Sequence, residues 1–475
     1  MSFATLSRAP RVTARAVLAS AALVSLVLGP ATKTAASPIP ASLATVSTVP
    51  ATVDATGATD VTQALRAFFS SVPDGQVAQL AKGALYRVEG TLKLENRHFL
   101  TIDGNNATIF ATAKTSVANS HLWIEGGSNL VVRRLSIRGA NRRGGTDDEA
   151  YVRNLENLHG IRIAGAISVE IVDVTVTNVF GDFVYIGRAE DRAWSEDIWI
   201  HDSRFTRNGR QGIAVTAARR VVIERNQLSD MRRSTIDLEP NTRSSGVEDV
   251  FVLDNHVGPG RLRFIASHGG GPVDRVVVAR NTLRGQTFTV DVKPPGEDRR
   301  SSFFVVDNTS NSTSGRAPLK FFRIDGLVVS GNIQPVRDKG VGIDLVGVCG
   351  VLIVGNTFSE HGPPAEGMPQ PDCGQPPSPE LPSAPAIAGR AAGSAAPPTT
   401  TTTPPPPSST TTTFSNSSTP PVTITIDSQP SANAPGSAPR WPWVLAITAV
   451  GTATVFAIRR ARGQRSASNS EKQAS

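Results

Sequence analysis

Several motifs that define common enzyme classes are missing from this sequence of 475 residues. It has no Cys-x-x-Cys pair, no Gly-x-Ser-x-Gly elbow and no Gly-Lys-Ser/Thr loop. These absences argue against a zinc site, a serine-nucleophile elbow and a phosphate-binding loop. Aromatic residues make up only 5% of the chain. Because the arginines are scattered and no aromatic stacking platform accompanies them, we do not expect nucleic-acid binding.

The first 36 residues are typical of an export signal. Three arginines, Arg8, Arg11 and Arg15, precede an apolar segment at 16–28, and small residues follow it. A membrane anchor is the alternative, but the segment is short for a bilayer crossing. We assign residues 37–50 to an N-terminal linker.

The other end of the chain predicts a membrane anchor. Residues 441–458 are an apolar run of 18 residues, which is just long enough to span a bilayer. Trp441 and Trp443 lie at one end of this run, and the arginine-rich segment 459–475 follows the other. The positive-inside rule places that basic tail in the cytoplasm. A buried core helix is the alternative.

Residues 363–440 are dominated by Pro, Thr, Ser and Ala. Such a composition buries too little apolar surface to fold, and its prolines keep it extended. We therefore predict a disordered stalk that holds an exported domain, residues 51–362, away from the cell membrane. The chain has only two cysteines, Cys349 and Cys373. In an exported protein we expect them to form a disulfide that closes the far end of the domain, with two free thiols as the alternative.

The domain is built from a repeat. A short strand of alternating apolar residues is followed by Asn and another apolar residue, around Asn226, Asn255, Asn281, Asn332 and Asn356. Weaker copies place Asn105, Leu135, Val174, Ser203 and Asn308 at the same point. Successive copies lie 23 to 30 residues apart, except for one gap of 39. This period and the two-residue alternation predict a solenoid of strands, in which stacked Asn side chains bond between coils.

Two further segments fit a solenoid. Residues 60–71 begin with Asp-Val-Thr-Gln and contain Leu65, Phe68 and Phe69, which predicts a helix that covers the first coil. The long gap contains residues 140–155, which we interpret as a loop that leans over one face.

Particular segments resemble a known superfamily. Residues 60–110 resemble the opening of the pectate-lyase-like β-helix superfamily, through Pro73-Asp-Gly75, Lys82-Gly-Ala-Leu-Tyr86 and Leu100-Thr-Ile-Asp-Gly-Asn105. Residues 181–187, 209–213 and 236–241 resemble segments of bacterial right-handed β-helix proteins. The resemblance implies an all-β, right-handed parallel β-helix of about ten coils. Because members of the superfamily cleave, epimerise or only bind glycans, it implies a polysaccharide ligand without choosing an activity.

Polygalacturonases within this superfamily carry Gly-Asp-Asp and Gly-His-Gly motifs. Here residues 181–183 are Gly-Asp-Phe and residues 267–269 are Ser-His-Gly. Neither an upstream Asn-Thr-Asp nor a downstream Arg-Ile-Lys is present. The resemblance therefore does not extend to the motifs of that hydrolase family.

Aligning five successive coils on an inward Ile or Val predicts three rows of side chains on one face, because coils stack about 4.8 Å apart. The Asp237 row contains Tyr185, Ala214, Asp237, Ala266 and Asp291. The Glu239 row contains Gly187, Thr216, Glu239, His268 and Lys293. The Asp182 row contains Asp182, Gln211, Ser234 and Arg263, with Arg210 beside it, and requires a bend before the strand.

The rows gather four carboxylates with several cations. With Ile236 and Leu238 inward, Asp237 and Glu239 point outward, roughly 7 Å apart by the strand rise. Glycoside hydrolysis needs a proton donor and a second carboxylate, so these two are the leading catalytic pair. Asp182 and Asp291 are further candidates. We assign Arg210, Gln211, His268, Lys293 and Arg263 to substrate binding.

Three alternatives remain open. Elimination from a uronic acid needs a base with cations or Ca²⁺, which this face also offers. The same rows suit a non-catalytic glycan binder or adhesin, or a structural spacer, because exposed solenoid strands are polar in any case. Asp147, Asp148 and Glu149 are candidate ligands of Ca²⁺. A solvated acidic loop is the simpler interpretation, and we assign no metal site. We expect a monomer.

Overall fold

The computed structural model describes residues 45–113, 120–286, 288–296, 298–311, 319–334, 342–358, 378–387 and 389–390. No helix within these ranges is long and apolar enough to cross a membrane. The predicted export signal at 1–36, the membrane helix at 441–458 and the basic tail lie outside the described residues and stay predictions. The same holds for Cys373, and so for its pairing with Cys349.

The strands of the solenoid form two parallel sheets, and the coils from β2 to β29 contribute to both. The first sheet contains β1 (Val46–Thr48), β2 (Val77–Gln79), β3 (Leu85–Arg87), β5 (Thr101–Phe110), β7 (Ser128–Arg138), β9 (Ile167–Val179), β11 (Ser195–His201), β12 (Arg204–Asn208), β14 (Ala218–Glu224), β15 (Gln227–Ser229), β17 (Val247–Leu253), β18 (His256–Val257), β20 (Val273–Ala279), β21 (Thr282–Leu283), β23 (Arg300–Val306), β24 (Thr309–Ser310), β26 (Ile324–Ser330), β27 (Ile333–Gln334), β29 (Cys349–Val354) and β30 (Thr357–Phe358). The second sheet contains β4 (Leu92–Glu95), β6 (Ser120–Glu125), β8 (His159–Ala164), β10 (Val184–Gly187), β13 (Ile213–Val215), β16 (Ile236–Leu238), β19 (Ile265–Ser267), β22 (Val290–Val292), β25 (Leu319–Phe322) and β28 (Ile343–Val346).

Both sheets send alternate side chains into one core. Ile213 and Val215 of the second sheet meet Val221 and Ile223 of the first in the same buried cluster. The pattern repeats in neighbouring coils, which is why one unit cannot fold alone. The predicted parallel β-helix is confirmed.

A single α-helix, α1 (Thr62–Ser71), covers the first coil. Leu65, Phe68 and Phe69 of this helix are buried, as predicted. The carboxylate of Asp60 accepts a hydrogen bond of 3.0 Å from the backbone N–H of Thr62, which satisfies one of the free donors of the first turn.

The predicted asparagine stacking is present between coils. Asn281 illustrates it: its Oδ1 accepts the N–H of Asn255 at 2.9 Å, and its Nδ2 donates to the carbonyl oxygen of Val252 at 2.9 Å. Asn226, Asn308, Asn332 and Asn356 bond in the same way. Asn308, a weaker copy by sequence, is therefore a full member of this asparagine ladder.

The left-handed backbone lies one residue before the position that the sequence suggests. Arg225, Asp254, Arg280 and Asp307 have φ between 53° and 56°, while the ladder asparagines that follow them do not have positive φ. The backbone turns at this left-handed residue, and the side chain of the Asn that follows points into the solenoid. Arg280 also forms an ion pair of 2.8 Å with Asp254 of the preceding coil.

Both predicted linkers contain residues that pair with or pack on the solenoid. β1, which falls in the predicted N-terminal linker at 37–50, pairs in parallel with β2. Within the predicted stalk, Ile387 is buried against the first sheet. Composition alone does not predict that such segments are ordered, because they have few apolar residues. They pair with or pack on a surface that the solenoid already provides.

Replacing Asn281 with Ala should lower the free energy of unfolding by about 1–3 kcal/mol, because Asn255 then loses its buried partner. Asn356→Ala is the matched control. Asn356 is only half-buried, so its loss should cost clearly less. Chemical denaturation measures both, and equal effects would contradict a ladder in which interior members contribute most.

Candidate functional site

The register of the second sheet lines up the Asp237 row. β10, β13, β16, β19 and β22 pair so that Tyr185, Ala214, Asp237, Ala266 and Asp291 lie opposite one another in turn. The row continues through Arg162, Trp123 and Lys93 in one direction and through Lys320 and Asp344 in the other. Because parallel pairing is regular, the sequence alignment and the structure agree here.

Asp237 lies on the outer side of β16 and yet is only 4% exposed. The amide of Gln211, from the turn before β13, covers it and donates Nε2–H to Asp237 Oδ2. Burial raises the pKa of Asp237 to about 7, helped by the negative charges of Glu239 and Asp182 and opposed by Arg210 and His268. Around neutral pH this carboxyl group therefore carries a proton for much of the time.

Asp182 lies in the turn before β10 and is fully buried. Arg210 Nη1 donates to its Oδ2 at 2.7 Å, and the backbone N–H of Gln211 donates to its Oδ1 at 2.9 Å. Burial raises the pKa of Asp182 to about 6, against the opposing charge of Arg210. Gln211 thus contacts both Asp182 and Asp237 and links the two carboxyl groups.

Ser234 completes the buried part of the Asp182 row, since its N–H donates to Gln211 Oε1 at 2.8 Å. The bend that this row requires is present, but Asp182, Gln211 and Ser234 are buried. The face is consequently less open than the sequence suggests, because each turn folds its polar side chains over the next strand.

Glu239 directly follows β16, and its N–H donates to the carbonyl oxygen of Val215 at 3.0 Å, in step with the coil before. It is half-buried. Among the described residues, its carboxylate makes no side-chain hydrogen bond. Its charge nevertheless acts on Asp237, Asp182 and Arg210, which places it beside the cluster.

Asp291 forms a second group, two coils beyond Asp237. Arg263 Nε donates to Asp291 Oδ2, and His268 Nε2 lies 3.5 Å from Asp291 Oδ1. Burial opposes ionisation, but these two partners outweigh it and lower the pKa of Asp291 to about 2. Asp291 is therefore an anion with partners of its own, which makes it a weaker candidate for proton transfer.

Lys293 is exposed, and its ammonium lies 5.3 Å from the centre of the Phe322 ring. No ion pair joins it to the carboxylates described here. It lies at the rim of the site.

Two further residues, His159 and Glu156, belong to the site, although the sequence analysis did not assign them to it. His159 is buried, stacks on Tyr185 and accepts the N–H of Asp182 at Nδ1, 3.0 Å away. Burial, with the charges of Arg210 and Arg162, holds the pKa of His159 well below its usual value, so the ring is neutral. Glu156 forms an ion pair of 3.5 Å with Arg210. It directly follows the loop at 140–155 and has no counterpart in other coils that would reveal it.

The gap loop carries two 3₁₀ turns, Asp148–Ala150 and Arg153–Leu155. Asp148 pairs with Arg232 and with Arg261 at 3.1 Å, which ties the loop to two later coils. In the ranges covered by the structure, no group of three or more His, Cys, Asp or Glu residues is arranged to hold a metal ion.

The fold and the arrangement of the site define a right-handed parallel β-helix with a carboxylate-rich outer face. The model of the family described as "Right handed beta helix region" matches residues 120–358. This match covers just over half of the chain, and the chain belongs to that family.

Three solved structures illustrate the likeness in fold. Endo-xylogalacturonan hydrolase from Aspergillus tubingensis has a TM-score of 0.50 and 15% identity, over 66% of this chain and 92% of that one. A family 28 exopolygalacturonase from Yersinia enterocolitica has a TM-score of 0.44 and 12% identity, over 68% and 79%. The surface adhesin PfbA of Streptococcus pneumoniae has a TM-score of 0.43 and 15% identity, over 66% and 91%. No curated protein matches the sequence.

The raised pKa of Asp237 makes a prediction about stability. Its carboxyl group holds a proton up to about pH 7 in the folded state and loses it near 3.8 when unfolded, so its contribution to stability is lost as the pH rises through 7. Asp237→Asn should therefore raise the melting temperature relative to wild type more at pH 8 than at pH 5.

Asp103→Asn is the control. Burial opposes ionisation of Asp103, but Arg134 and Arg133 outweigh it and lower the pKa of its carboxyl group, and both arginines stay charged over this range. This variant should lose the same stability at pH 5 and pH 8. A pH-independent effect of Asp237→Asn would mean that the carboxyl group is already ionised at pH 5.

Proposed function

We propose that this protein hydrolyses a polysaccharide that lies across the outer face of the second sheet. The observation that carries the proposal is the pairing of Asp237, which is protonated around neutral pH, with Glu239, a carboxylate two residues away. General acid catalysis needs a donor whose pKa lies near the working pH, and Asp237 meets this condition.

The proposed reaction uses both groups. Asp237 donates its proton to the glycosidic oxygen as the bond to the anomeric carbon breaks. Glu239 takes a proton from a water molecule, whose oxygen bonds to that carbon. Alternate strand residues lie about 7 Å apart, which is nearer the carboxyl separation of about 6.5–9.5 Å in inverting glycosidases than the 5–5.5 Å of retaining ones. We therefore assign Glu239 as a base, with inversion of configuration.

The surroundings support these roles. Arg210 holds Asp182 at 2.7 Å, and Gln211 positions Asp237 through its side-chain amide. Tyr185 lies two coils before Asp237 in the same row, where His159 stacks on its ring and the Arg162 guanidinium lies 5.5 Å from the ring centre. The fold is shared with the A. tubingensis endo-xylogalacturonan hydrolase, which is consistent with a polysaccharide substrate.

A glycan-binding surface protein without turnover is the second candidate. The burial of Asp182 and Asp237 favours it, because a substrate oxygen must reach a carboxyl group that is only 4% exposed. In this case the rows would serve as a docking face, and Gln211 would stay in place over Asp237.

The decisive experiment incubates the protein with neutral and acidic polysaccharides and measures reducing ends together with the absorbance of unsaturated uronates. Hydrolysis predicts reducing ends without that absorbance, and a loss of at least about a hundredfold in Asp237→Asn and in Glu239→Gln. Asp344→Asn, in the same row four coils away, is the matched control and should keep full activity. Unsaturated products would indicate a lyase. Retention of the glycan without any product would support the binder.

Export and anchoring are part of the proposal, and their support is the sequence at 1–36 and 441–458. We place the β-helix outside the cell and the C-terminus in the cytoplasm. Protease added to intact cells should remove the β-helix and spare the C-terminal tail, and protection of both would contradict this placement.

A further inference from the structure

A continuous apolar row runs along the outer side of the first sheet, where polar side chains are expected. Pairing between successive coils aligns its members one above another, and they are Trp199, Val222, Phe251, Val277, Phe304, Val328 and Leu352. The first six are at most 8% exposed, although their side chains point away from the main core. Something outside the solenoid must therefore cover this row.

The cover is a segment of the same chain beyond the last strand. Leu381, Ala384 and Ile387 pack on the apolar row. They are spaced three residues apart in the sequence Leu-Pro-Ser-Ala-Pro-Ala-Ile, and three residues per turn is the repeat of a polyproline helix. One side of such a helix offers a continuous apolar edge that fits a straight row.

The lengths of the segment and the row also agree. Arg390 lies nine positions after Leu381, which corresponds to about 28 Å at the polyproline rise. The coil that contains β29 lies five coil steps from the one that contains β14, or about 24 Å at the usual spacing. The segment is long enough to run back along the solenoid from its last coil.

Arg390 anchors the end of this segment. Its Nε and Nη2 each lie 3.1 Å from one carboxylate oxygen of Glu224 on β14, and both side chains are 4% exposed. Glu224 also accepts the indole N–H of Trp199 at 2.9 Å. Gly389, with φ of +87°, supplies the left-handed turn that brings Arg390 down to the sheet. A buried ion pair forms only when its geometry offsets the loss of hydration, and removing one partner is strongly destabilising.

We propose that residues 378–387 with 389 and 390 are a strap with a dedicated docking surface on the first sheet, and that the Arg390–Glu224 ion pair is its latch. With the latch closed, Arg390 is held at the side wall of the solenoid beside β14. The candidate site lies on the second sheet, on another side of the core, and stays uncovered. With the latch open, the apolar row is exposed to solvent.

Trypsin tests the latch in the full chain, because it cleaves after arginine and must bind that side chain. In wild type the bond after Arg390 should resist trypsin, since the guanidinium is buried. Glu224→Gln should speed cleavage at that bond by at least about tenfold, because the strap then opens locally. Ile387→Ser should also speed cleavage after Arg390. Because it alters only the strap, it tests the proposal even if Glu224→Gln fails to fold.

Glu196→Gln is the matched control, since Glu196 on the neighbouring β11 is also paired with an arginine, Arg219, at 2.8 Å. It should leave cleavage after Arg390 unchanged. Circular dichroism should confirm that every variant keeps its sheet. Wild-type cleavage as fast as that of a free peptide of residues 384–394 would overturn the proposal, as would unchanged rates in both Glu224→Gln and Ile387→Ser. Protection that falls on dilution would overturn closure within one chain and indicate exchange between two copies.

Discussion

Buried amide hydrogen bonds between successive coils hold the register of this solenoid, and the other features depend on that register. Each interior ladder asparagine accepts a backbone N–H from the preceding coil and donates to a carbonyl oxygen of that coil. A slip of one residue would leave these buried groups unpaired and turn the inward valines and isoleucines outward. The alternation of apolar residues and the asparagine ladder therefore favour the same register between coils. In any other register, neither the apolar core nor the asparagine hydrogen bonds would form.

A fixed register explains how much of the site could be predicted from the sequence. In a parallel solenoid, equivalent residues of successive coils become neighbours, so aligning repeats is enough to place Asp237 beside Ala214 and Ala266. The burial of Asp237 could not be predicted in this way, because it depends on how the Gln211 side chain folds over it. Glu156 and the strap were missed for a related reason: each lies outside the repeat and has no equivalent position in other coils.

The site is arranged at a cost to stability. Burial disfavours the charged forms of Asp182 and Asp237, and repulsion among Asp182, Asp237 and Glu239 adds to this, so a proton is retained where a surface carboxyl group would lose it. Arg210 offsets part of the repulsion and is held between Asp182 and Glu156. An apolar residue at position 237 would avoid the cost, as Ala214 and Ala266 do in the adjacent coils. Costly local arrangements of this kind cluster at functional sites.

The outer faces of the two sheets differ in chemistry: one carries an apolar row and the other a row of carboxylates. An apolar row on an outer surface is unfavourable until something covers it, and a proline-rich segment provides that cover at low entropic cost because it is already extended. The carboxylates lie on the second sheet, away from this cover. Placing the cover on the first sheet and the carboxylates on the second lets one short coil, repeated with small changes, carry two outer surfaces of different chemistry.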